Sequence, residues 1–303
     1  MNERKTVATY DGRILLAFAI VYIVWGSTYL AIRVGVHEAP PILFAGLRFL
    51  IAAPLMLAYA AWSGMRWPTS RRDWWVISVT SLMMLVGANG MVTWAEQWVQ
   101  SNQAALIVAT SALWMAGFGT LGASGEPLGR ATLAGLVVGF LGVAVLVGDG
   151  LRLEAAPWPA YLMLILSPIL WAGGSIFARR YPLTCAPLMT AALQILIAGV
   201  VQTGLGLALG EAAAWRWTPN VIGAVLYLAV FGSCVAFGAY YWLVHQVTPA
   251  QLGTYAYVNP AVAVVLGWLL LGERLSTMQL GGTLIILLSV VAVTLASRRP
   301  RKA

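Results

Sequence analysis

Polar and aromatic side chains recur at helical spacing inside the apolar stretches of this 303-residue sequence. Such groups are costly in hydrocarbon, so they usually face a helix-bundle interior or a water-filled cavity. Aromatic faces can stack on an apolar group or contact a cation, and amides and hydroxyls can hydrogen bond to a ligand. The pattern predicts a binding cavity lined by Trp25, Tyr29, Asn89, Thr93, Gln103, Thr110, Trp114, Trp171, Ser175, Tyr240, Tyr255 and Asn259.

Helix packing is the competing interpretation for each of these residues taken singly. Ser and Thr often bond to the carbonyl one turn back, and Trp and Tyr are common near membrane interfaces. The stripes taken together favour a cavity. Asn259 is the strongest single candidate, because the following Pro260 interrupts the backbone hydrogen bonding of its helix.

Two charged side chains lie near these stripes. Arg48 stands well inside an apolar run and could bind an anionic group, although we favour the alternative that it reaches back to the outer interface. Glu96 is a candidate for proton coupling, although we favour the alternative of a water-exposed carboxylate at the rim. Since no Asp, Glu or Lys lies at mid-depth in a run, the sequence favours neutral or zwitterionic ligands with an apolar portion.

Motifs for other chemistry are absent or out of context. The glycines at 117, 119 and 122 spell a dinucleotide fingerprint, but they lie in an apolar run without a preceding strand. No P-loop occurs, and the only histidines, His37 and His245, fall at opposite ends of the predicted spans. The two cysteines have no metal-ligand spacing. The sequence therefore predicts no metal, no cofactor and no enzymatic activity.

The elements that must position the polar stripes are membrane-spanning helices. Hydrophobic residues make up 60% of the chain and charged residues only 9%, against about a quarter in soluble domains. The long continuous apolar runs exclude a membrane β-barrel. The sequence predicts an all-α integral membrane protein with ten transmembrane helices near 14–33, 41–62, 74–95, 100–120, 129–148, 159–178, 187–209, 219–244, 249–271 and 277–297.

The placement of Lys and Arg predicts the orientation. With the N-terminus inside, most basic residues fall in cytoplasmic segments, and only Arg33, Arg152, Arg216 and Arg274 lie in outer ones. We therefore expect an inner-membrane protein with a cytoplasmic N-terminus (1–13) and a cytoplasmic basic tail (298–303). The net charge of +8 lies at the ends and in alternate loops, which argues against nucleic-acid binding. The partners expected are a small-molecule substrate and the bilayer, and a monomer and a homodimer both remain open.

The two halves of the chain repeat. Shifted by about 147 positions, Gly125-Glu126 meets Gly272-Glu273, and Trp25 meets Trp171. Each half, 14–148 and 159–297, would hold five helices, so the second copy enters the membrane from the opposite side. Such inverted repeats are typical of transporters with a midplane site between the halves. Hinge candidates for rocking one bundle against the other are Pro168, Gly173, Gly174, Gly232, Gly238 and Pro260.

The sequence also resembles a known family. The segments WGSTYLAIR at 25–33, LRF at 47–49 and GERLSTMQLGG at 272–282 are similar to the EamA group of the drug/metabolite transporter (DMT) superfamily. The resemblance covers nearly the whole chain and implies export of amino acids or related metabolites. In its many Trp and Tyr residues the sequence is similar to the branch of the family that exports aromatic amino acids. Family members often carry a proline late in both the fourth and ninth spans. Here Leu113 stands opposite Pro260, so we expect a straighter fourth span.

These observations predict a secondary transporter that exports amino acids or related small metabolites by alternating access through a central cavity. Proton coupling and facilitated diffusion both remain open. The alternatives are a membrane-embedded enzyme acting on a lipid-linked substrate, a multidrug exporter of aromatic cations, and a channel. No catalytic cluster that would support the enzyme can be assembled from the sequence.

Overall fold

A computed structural model describes residues 11–99, 101–122, 125–148, 156–271 and 276–297. The basic tail at 298–303 and most of the N-terminal segment lie outside these ranges. The regular elements within them are helices: α1 (Gly12–Val36), α2 (Pro41–Trp62), α3 (Arg71–Ala95), α4 (Ser101–Val108), α5 (Ser111–Gly119), α6 (Arg130–Gly148), α7 (Trp158–Arg180), α8 (Pro187–Ala208), a short 3₁₀ turn (Glu211–Ala214), α9 (Pro219–Leu243), α10 (Pro249–Gly253), α11 (Tyr255–Leu271) and α12 (Thr277–Ala296).

The described residues contain eight helices that are long and apolar enough to cross a membrane. Their starts follow from local chemistry. Proline occupies the first turn of α2, α7 and α8, where its missing N–H costs nothing. The hydroxyls of Ser70, Thr218 and Ser276 cap α3, α9 and α12 by accepting bonds from backbone N–H groups. The predicted all-α membrane fold is confirmed.

The two remaining predicted spans are each broken into a pair of shorter helices. The fourth is interrupted at Ala109–Thr110, between α4 and α5, and the ninth at Thr254, between α10 and α11. At each break a threonine hydroxyl bonds to the carbonyl three residues back: Thr110 to Ile107 (2.7 Å) and Thr254 to Gln251 (2.6 Å).

The expectation of a straighter fourth span stays a prediction, although the helix of span four is interrupted at 109–110. Span four breaks without a proline, whereas α11 continues as a helix through Pro260. In both spans the break coincides with a threonine hydroxyl that competes for the backbone carbonyls.

A second symmetric irregularity occurs in the third and eighth spans. Residues Leu82–Asn89 of α3 and Leu228–Phe237 of α9 are wound as π-helix. Extended π segments are rare and are frequently found at functional sites. They occupy equivalent places in the two repeats, so the region between the two π segments is a candidate for the functional site.

The helices pack as two inverted repeats. Helix α2 packs along α8, and α6 along α12, so helices with the same position in each repeat meet. Helix α1 packs against α9 and α11 of the second repeat, and α7 packs against α3 and α5 of the first. This exchange of partners is what a two-fold axis between inverted five-helix units produces.

Two arginines show the same symmetry in atomic detail. Nη1 of Arg33, near the end of α1, donates to the carbonyls of Glu96 (2.8 Å) and Val99 (2.9 Å). Nη1 of Arg179, at the end of α7, donates to the carbonyls of Val244 (2.7 Å) and Val247. Both arginines thus bond to the C-terminal carbonyls of a π-containing helix. We call the two sides of the molecule the Arg33 end and the Arg179 end.

Candidate functional site

A cavity of about 90 Å³ lies between the two repeats, in the half of the molecule nearer the Arg33 end. Both π segments contribute to its lining, and α1, α2, α4, α7 and α11 complete it. Its lining consists of Trp25, Thr28, Tyr29, Ile32, Arg48, Phe49, Leu85, Ala88, Asn89, Val92, Val108, Ser167, Trp171, Gly232, Ser233, Phe237, Tyr255 and Asn259.

Aromatic rings form the floor of the cavity on the side of the Arg179 end. The ring of Trp25 lies 5.4 Å from that of Trp171, 4.9 Å from Tyr240 and 5.1 Å from Tyr255, measured between centroids. These spacings are typical of edge-to-face and tilted aromatic contacts. We call Trp25, Trp171 and Tyr255, which line the cavity, together with Tyr240 behind them, the aromatic floor.

Hydrogen bonds hold the aromatic floor in place. The indole N–H of Trp25 donates to the carbonyl of Gly232 (3.1 Å), and that of Trp171 donates to the hydroxyl of Tyr240 (3.0 Å). The Tyr240 hydroxyl also bonds with Ser175 (2.7 Å). Tyr240 is fully buried, so it and Ser175 act behind the cavity surface, as supports for Trp171.

The polar wall contains a buried arginine. Nη2 of Arg48 donates to Oδ1 of Asn89 (2.8 Å), and its guanidinium carbon lies 4.4 Å from the ring centroid of Phe49. Only 5% of Arg48 is exposed. The interpretation that Arg48 reaches back to the outer interface is therefore wrong, because its guanidinium is bonded and stacked at the cavity wall.

Several polar atoms at this wall have no hydrogen-bond partner among the described residues. They are Nε of Arg48, the hydroxyl of Ser233 and the amide oxygen of Asn259. Leaving a buried polar group unpaired costs about 1–3 kcal/mol, so native proteins rarely keep several together without a reason. Their convergence on one cavity is what a binding site for a polar group requires.

Glu96 lies close to this wall but does not line it. Its side chain is fully buried, and neither carboxylate oxygen has a hydrogen-bond partner among the described residues. Its charge interacts electrostatically with those of Arg33 and Arg48. The alternative of a rim carboxylate in water is thus wrong, because the ends of α1 and α3 enclose the group.

The structure brings half of the predicted lining residues together at the cavity: Trp25, Tyr29, Asn89, Trp171, Tyr255 and Asn259. Thr93 is buried and bonds to the Asn89 carbonyl (2.9 Å), and Thr110 lies at the break between α4 and α5. Trp114 is 40% exposed and packs against Phe118, away from the cavity lining. Gln103 lies in α4, but its side chain falls outside the described part of the chain.

The hinge candidates occupy closely packed positions. Pro168 lies within the continuous helix α7. A Cβ added to Gly174 would approach Met84 to 2.5 Å, and one added to Gly173 or Gly238 would lie 3.0–3.1 Å from a neighbouring side chain. Gly232 faces Thr28 in the cavity wall. A hinge role for these residues and Pro260 stays a prediction, and close helix approach already accounts for Gly174.

Sequence reasoning missed Thr28, Ser167, Phe237 and the cavity role of Arg48. A charge inside a span was a usable signal for Arg48, because such residues usually face the bundle interior. Ser233 precedes the predicted Tyr240 in the eighth span at helical spacing, and that spacing was a usable signal. The sequence does not distinguish Thr28 and Ser167 from the many hydroxyl side chains that bond to the backbone of their own helix. Thr28 makes such a bond, from its hydroxyl to the carbonyl of Trp25 (2.7 Å).

Contacts between the repeats join them at the Arg179 end. Nη2 of Arg179 forms a salt bridge with Glu126 of the first repeat (2.8 Å). Arg180 donates to the carbonyls of Phe118 (3.0 Å) and Leu121 at the end of α5. The cavity is thus separated from the Arg179 end by the aromatic floor and by these bonds beyond it.

Comparison with known proteins decides the family. The model of the EamA-like transporter family matches residues 12–148 and again 158–295. The chain belongs to the EamA-like transporter family. This EamA-like transporter is 41% identical to the Escherichia coli (strain K12) inner membrane transporter YedA over 280 residues, which cover 92% of this chain and 90% of YedA. The relationship supports a multi-pass inner-membrane transporter with a small-molecule substrate.

Two more distant comparisons bear on substrate and fold. A Salmonella typhimurium protein named "Probable amino-acid metabolite efflux pump" is 24% identical, over 88% of this chain and 90% of its own. A crystal structure of a protein 21% identical in sequence superposes with a TM-score of 0.79, over 96% of this chain and 100% of that one. The second likeness concerns the fold alone.

Proposed function

We propose that this EamA-like transporter exports amino acids or related small metabolites across the inner membrane by alternating access. The observation that carries the proposal is the cavity between the repeats, which combines an aromatic floor with a polar wall at Arg48 and Asn89. An apolar side chain can pack on the rings while a polar head group meets the wall. The efflux pump among the relatives supports the same substrate class.

The cavity geometry supports alternating access. It lies on one side of the aromatic floor, and the salt bridge between Arg179 and Glu126 joins the repeats on the other side. Exchanging the partners of α1 and α7 across the two-fold axis would open the Arg179 end and close the Arg33 end. The excess of Lys and Arg in the loops at the Arg179 end supports assigning that end to the cytoplasm.

Two alternatives have less support. A multidrug exporter of aromatic cations would place a positive charge beside the buried Arg48, where like charges repel. An enzyme acting on a lipid-linked substrate needs nucleophilic or acid–base groups at the cavity, and the described lining offers hydroxyls, amides and one arginine but no carboxylate or imidazole.

Counterflow in reconstituted vesicles tests the function. Vesicles preloaded with unlabelled L-phenylalanine, L-leucine or L-threonine should accumulate the same labelled compound when they contain the protein, and protein-free vesicles should not. Accumulation of none of a broad amino-acid panel, while a control transporter is active in parallel, would contradict amino-acid export.

The lining is tested with Trp171→Ala and Asn259→Ala. Loss of aromatic stacking is expected to weaken substrate affinity about tenfold for Trp171→Ala, and Trp171→Phe should retain part of it. Trp158→Ala, at a side chain 74% exposed, is the matched control and should transport normally. A correctly folded Trp171→Ala or Asn259→Ala variant with unchanged transport would remove that residue from the site.

A further inference from the structure

Arg48 is the one charged side chain among the described residues that line the cavity. A guanidinium carries five N–H donors in a planar fork. One donor is used by Asn89, and Nε is buried without a partner among the described residues. No described carboxylate lies within salt-bridge distance of Arg48. The groups that contact Arg48, Asn89 and Phe49, are neutral, and the buried Glu96 interacts with it electrostatically from beyond salt-bridge distance. The remaining N–H donors of Arg48 are left for a ligand at the cavity wall.

The groups around Arg48 suit a carboxylate ligand. A planar guanidinium binds a carboxylate through two parallel hydrogen bonds, a geometry that an ammonium cannot reproduce. The unpaired Ser233 hydroxyl, which also lines the cavity, can donate a further bond to an anionic oxygen. The unpaired amide oxygen of Asn259 accepts, so it can receive a bond from a substrate ammonium.

The contacts of Arg48 also fix its orientation. Asn89 belongs to the π segment of α3, and Phe49 stacks on the guanidinium from the same helix as Arg48. A planar donor held by an amide on one side and an aromatic ring on another loses little rotamer freedom when a ligand binds. Such preorganisation raises the selectivity for groups that match the fork.

We propose that Arg48 binds the carboxylate of the transported compound and makes a free carboxylate a requirement for transport. The inference rests on the proposed function and adds the chemical group that selects the substrate. Compounds with a carboxylate and an apolar side chain enter the site. Amines and esters with the same side chain are rejected, because they leave the buried guanidinium unpaired.

Two readouts test the requirement independently. The first is thermal stabilisation of the purified protein in detergent by L-phenylalanine, 3-phenylpropionate, 2-phenylethylamine and L-phenylalanine methyl ester. The second is competition of the same compounds against counterflow of a labelled amino acid. The wild type should bind the two carboxylates at least tenfold more tightly than the amine or the ester.

The variants separate recognition from folding. Arg48→Gln should lower the affinity for the carboxylates about tenfold or more and bring the carboxylate-to-amine affinity ratio close to one. Arg48→Lys keeps the charge but loses the planar fork, so it should give an intermediate carboxylate-to-amine affinity ratio. This variant also tests the inference if Arg48→Gln does not fold. Arg66→Gln, at an exposed loop position, is the matched control and should keep the wild-type ratio.

The outcomes distinguish this inference from the proposed function. Equal wild-type binding of acids, amines and esters overturns the role of Arg48, even if transport is seen. An unchanged carboxylate-to-amine affinity ratio in a folded Arg48 variant also overturns the role of Arg48, because an arginine with a purely structural role does not affect that ratio. Stabilisation by carboxylates without any counterflow would instead support the site and contradict amino-acid export.

Discussion

Three buried polar atoms lie at the cavity wall, at positions where apolar atoms would make the folded protein more stable. Nε of Arg48, the Ser233 hydroxyl and the Asn259 amide oxygen each lack a partner among the described residues. An apolar replacement of similar shape at such a site is often neutral or stabilising. Retaining these atoms makes sense if a ligand pairs with them during part of the transport cycle.

Glu96 belongs to the same set and provides a test of coupling. Its carboxylate is buried without a hydrogen-bond donor among the described residues, close to the charges of Arg33 and Arg48 and to the Tyr29 hydroxyl. A carboxylate that exchanges a proton during the transport cycle would couple transport to a pH gradient. We expect an imposed gradient to stimulate wild-type transport, and Glu96→Gln to lose that stimulation while keeping counterflow.

Glu38 supplies the matched control for this experiment. It lies in the loop after α1 at the same end and accepts hydrogen bonds from Thr218 and from Asn220 (2.7 Å). Those bonds lower the pKa of Glu38, so it stays ionised at mildly acidic pH and carries no proton there. Glu38→Gln should leave the stimulation intact. A gradient without effect on the wild type would favour facilitated diffusion.

At the scale of the helices, close approach depends on glycine. Helices α2 and α8 meet along their length, and a Cβ added to Gly206 of α8 would lie 2.9 Å from the backbone nitrogen of Leu43 in α2. Small residues at such contacts let backbones approach in membranes, where no hydrophobic force drives helices together.

Gly206→Ala is therefore expected to destabilise the protein by about 1–3 kcal/mol, because the backbone of α2 must move. Gly204→Ala is the control on the same helix, since a Cβ there meets nothing within 4 Å. Thermal unfolding in detergent should show a lower midpoint for Gly206→Ala and a midpoint near the wild-type value for Gly204→Ala. Equal midpoints for the two variants would contradict the packing of α2 on α8.

At the scale of the whole molecule, the contacts between repeats at the Arg179 end oppose opening there. The salt bridge joins Arg179 at 28% and Glu126 at 19% side-chain exposure, so solvent screens it only in part. Breaking it should raise the population that is open at the Arg179 end, provided that alternating access holds.

Labelling of a cavity cysteine measures this shift. Thr28→Cys is introduced in a protein with Cys185 and Cys234 replaced by alanine, and a membrane-impermeant thiol reagent is applied from each side in turn. Adding Glu126→Gln should increase labelling from the Arg179 end several-fold. Adding Glu38→Gln, at the opposite end, should not. Unchanged labelling with Glu126→Gln would show that this salt bridge does not limit access.

Sequence alone determined the membrane class, the all-helical fold and the repeat. These follow from continuous apolar length and from motifs repeated at a fixed shift, both of which are local properties of the chain. Trp25, Asn89, Trp171, Tyr255 and Asn259 could be found the same way, because polar and aromatic residues at helical spacing define a face before any packing is known.

Only the tertiary structure decided which faces meet and how charges are used. Arg48 and Glu96 read as interfacial groups by their distance from the ends of their spans, yet the helices packed around them bury both. The interruption at Thr110 and the paired π segments also escaped prediction, since no proline marks them in the sequence and a threonine in a span more often bonds to its own helix without interrupting it. Burial and pairing depend on neighbours distant in sequence, and spacing within one helix does not contain that information.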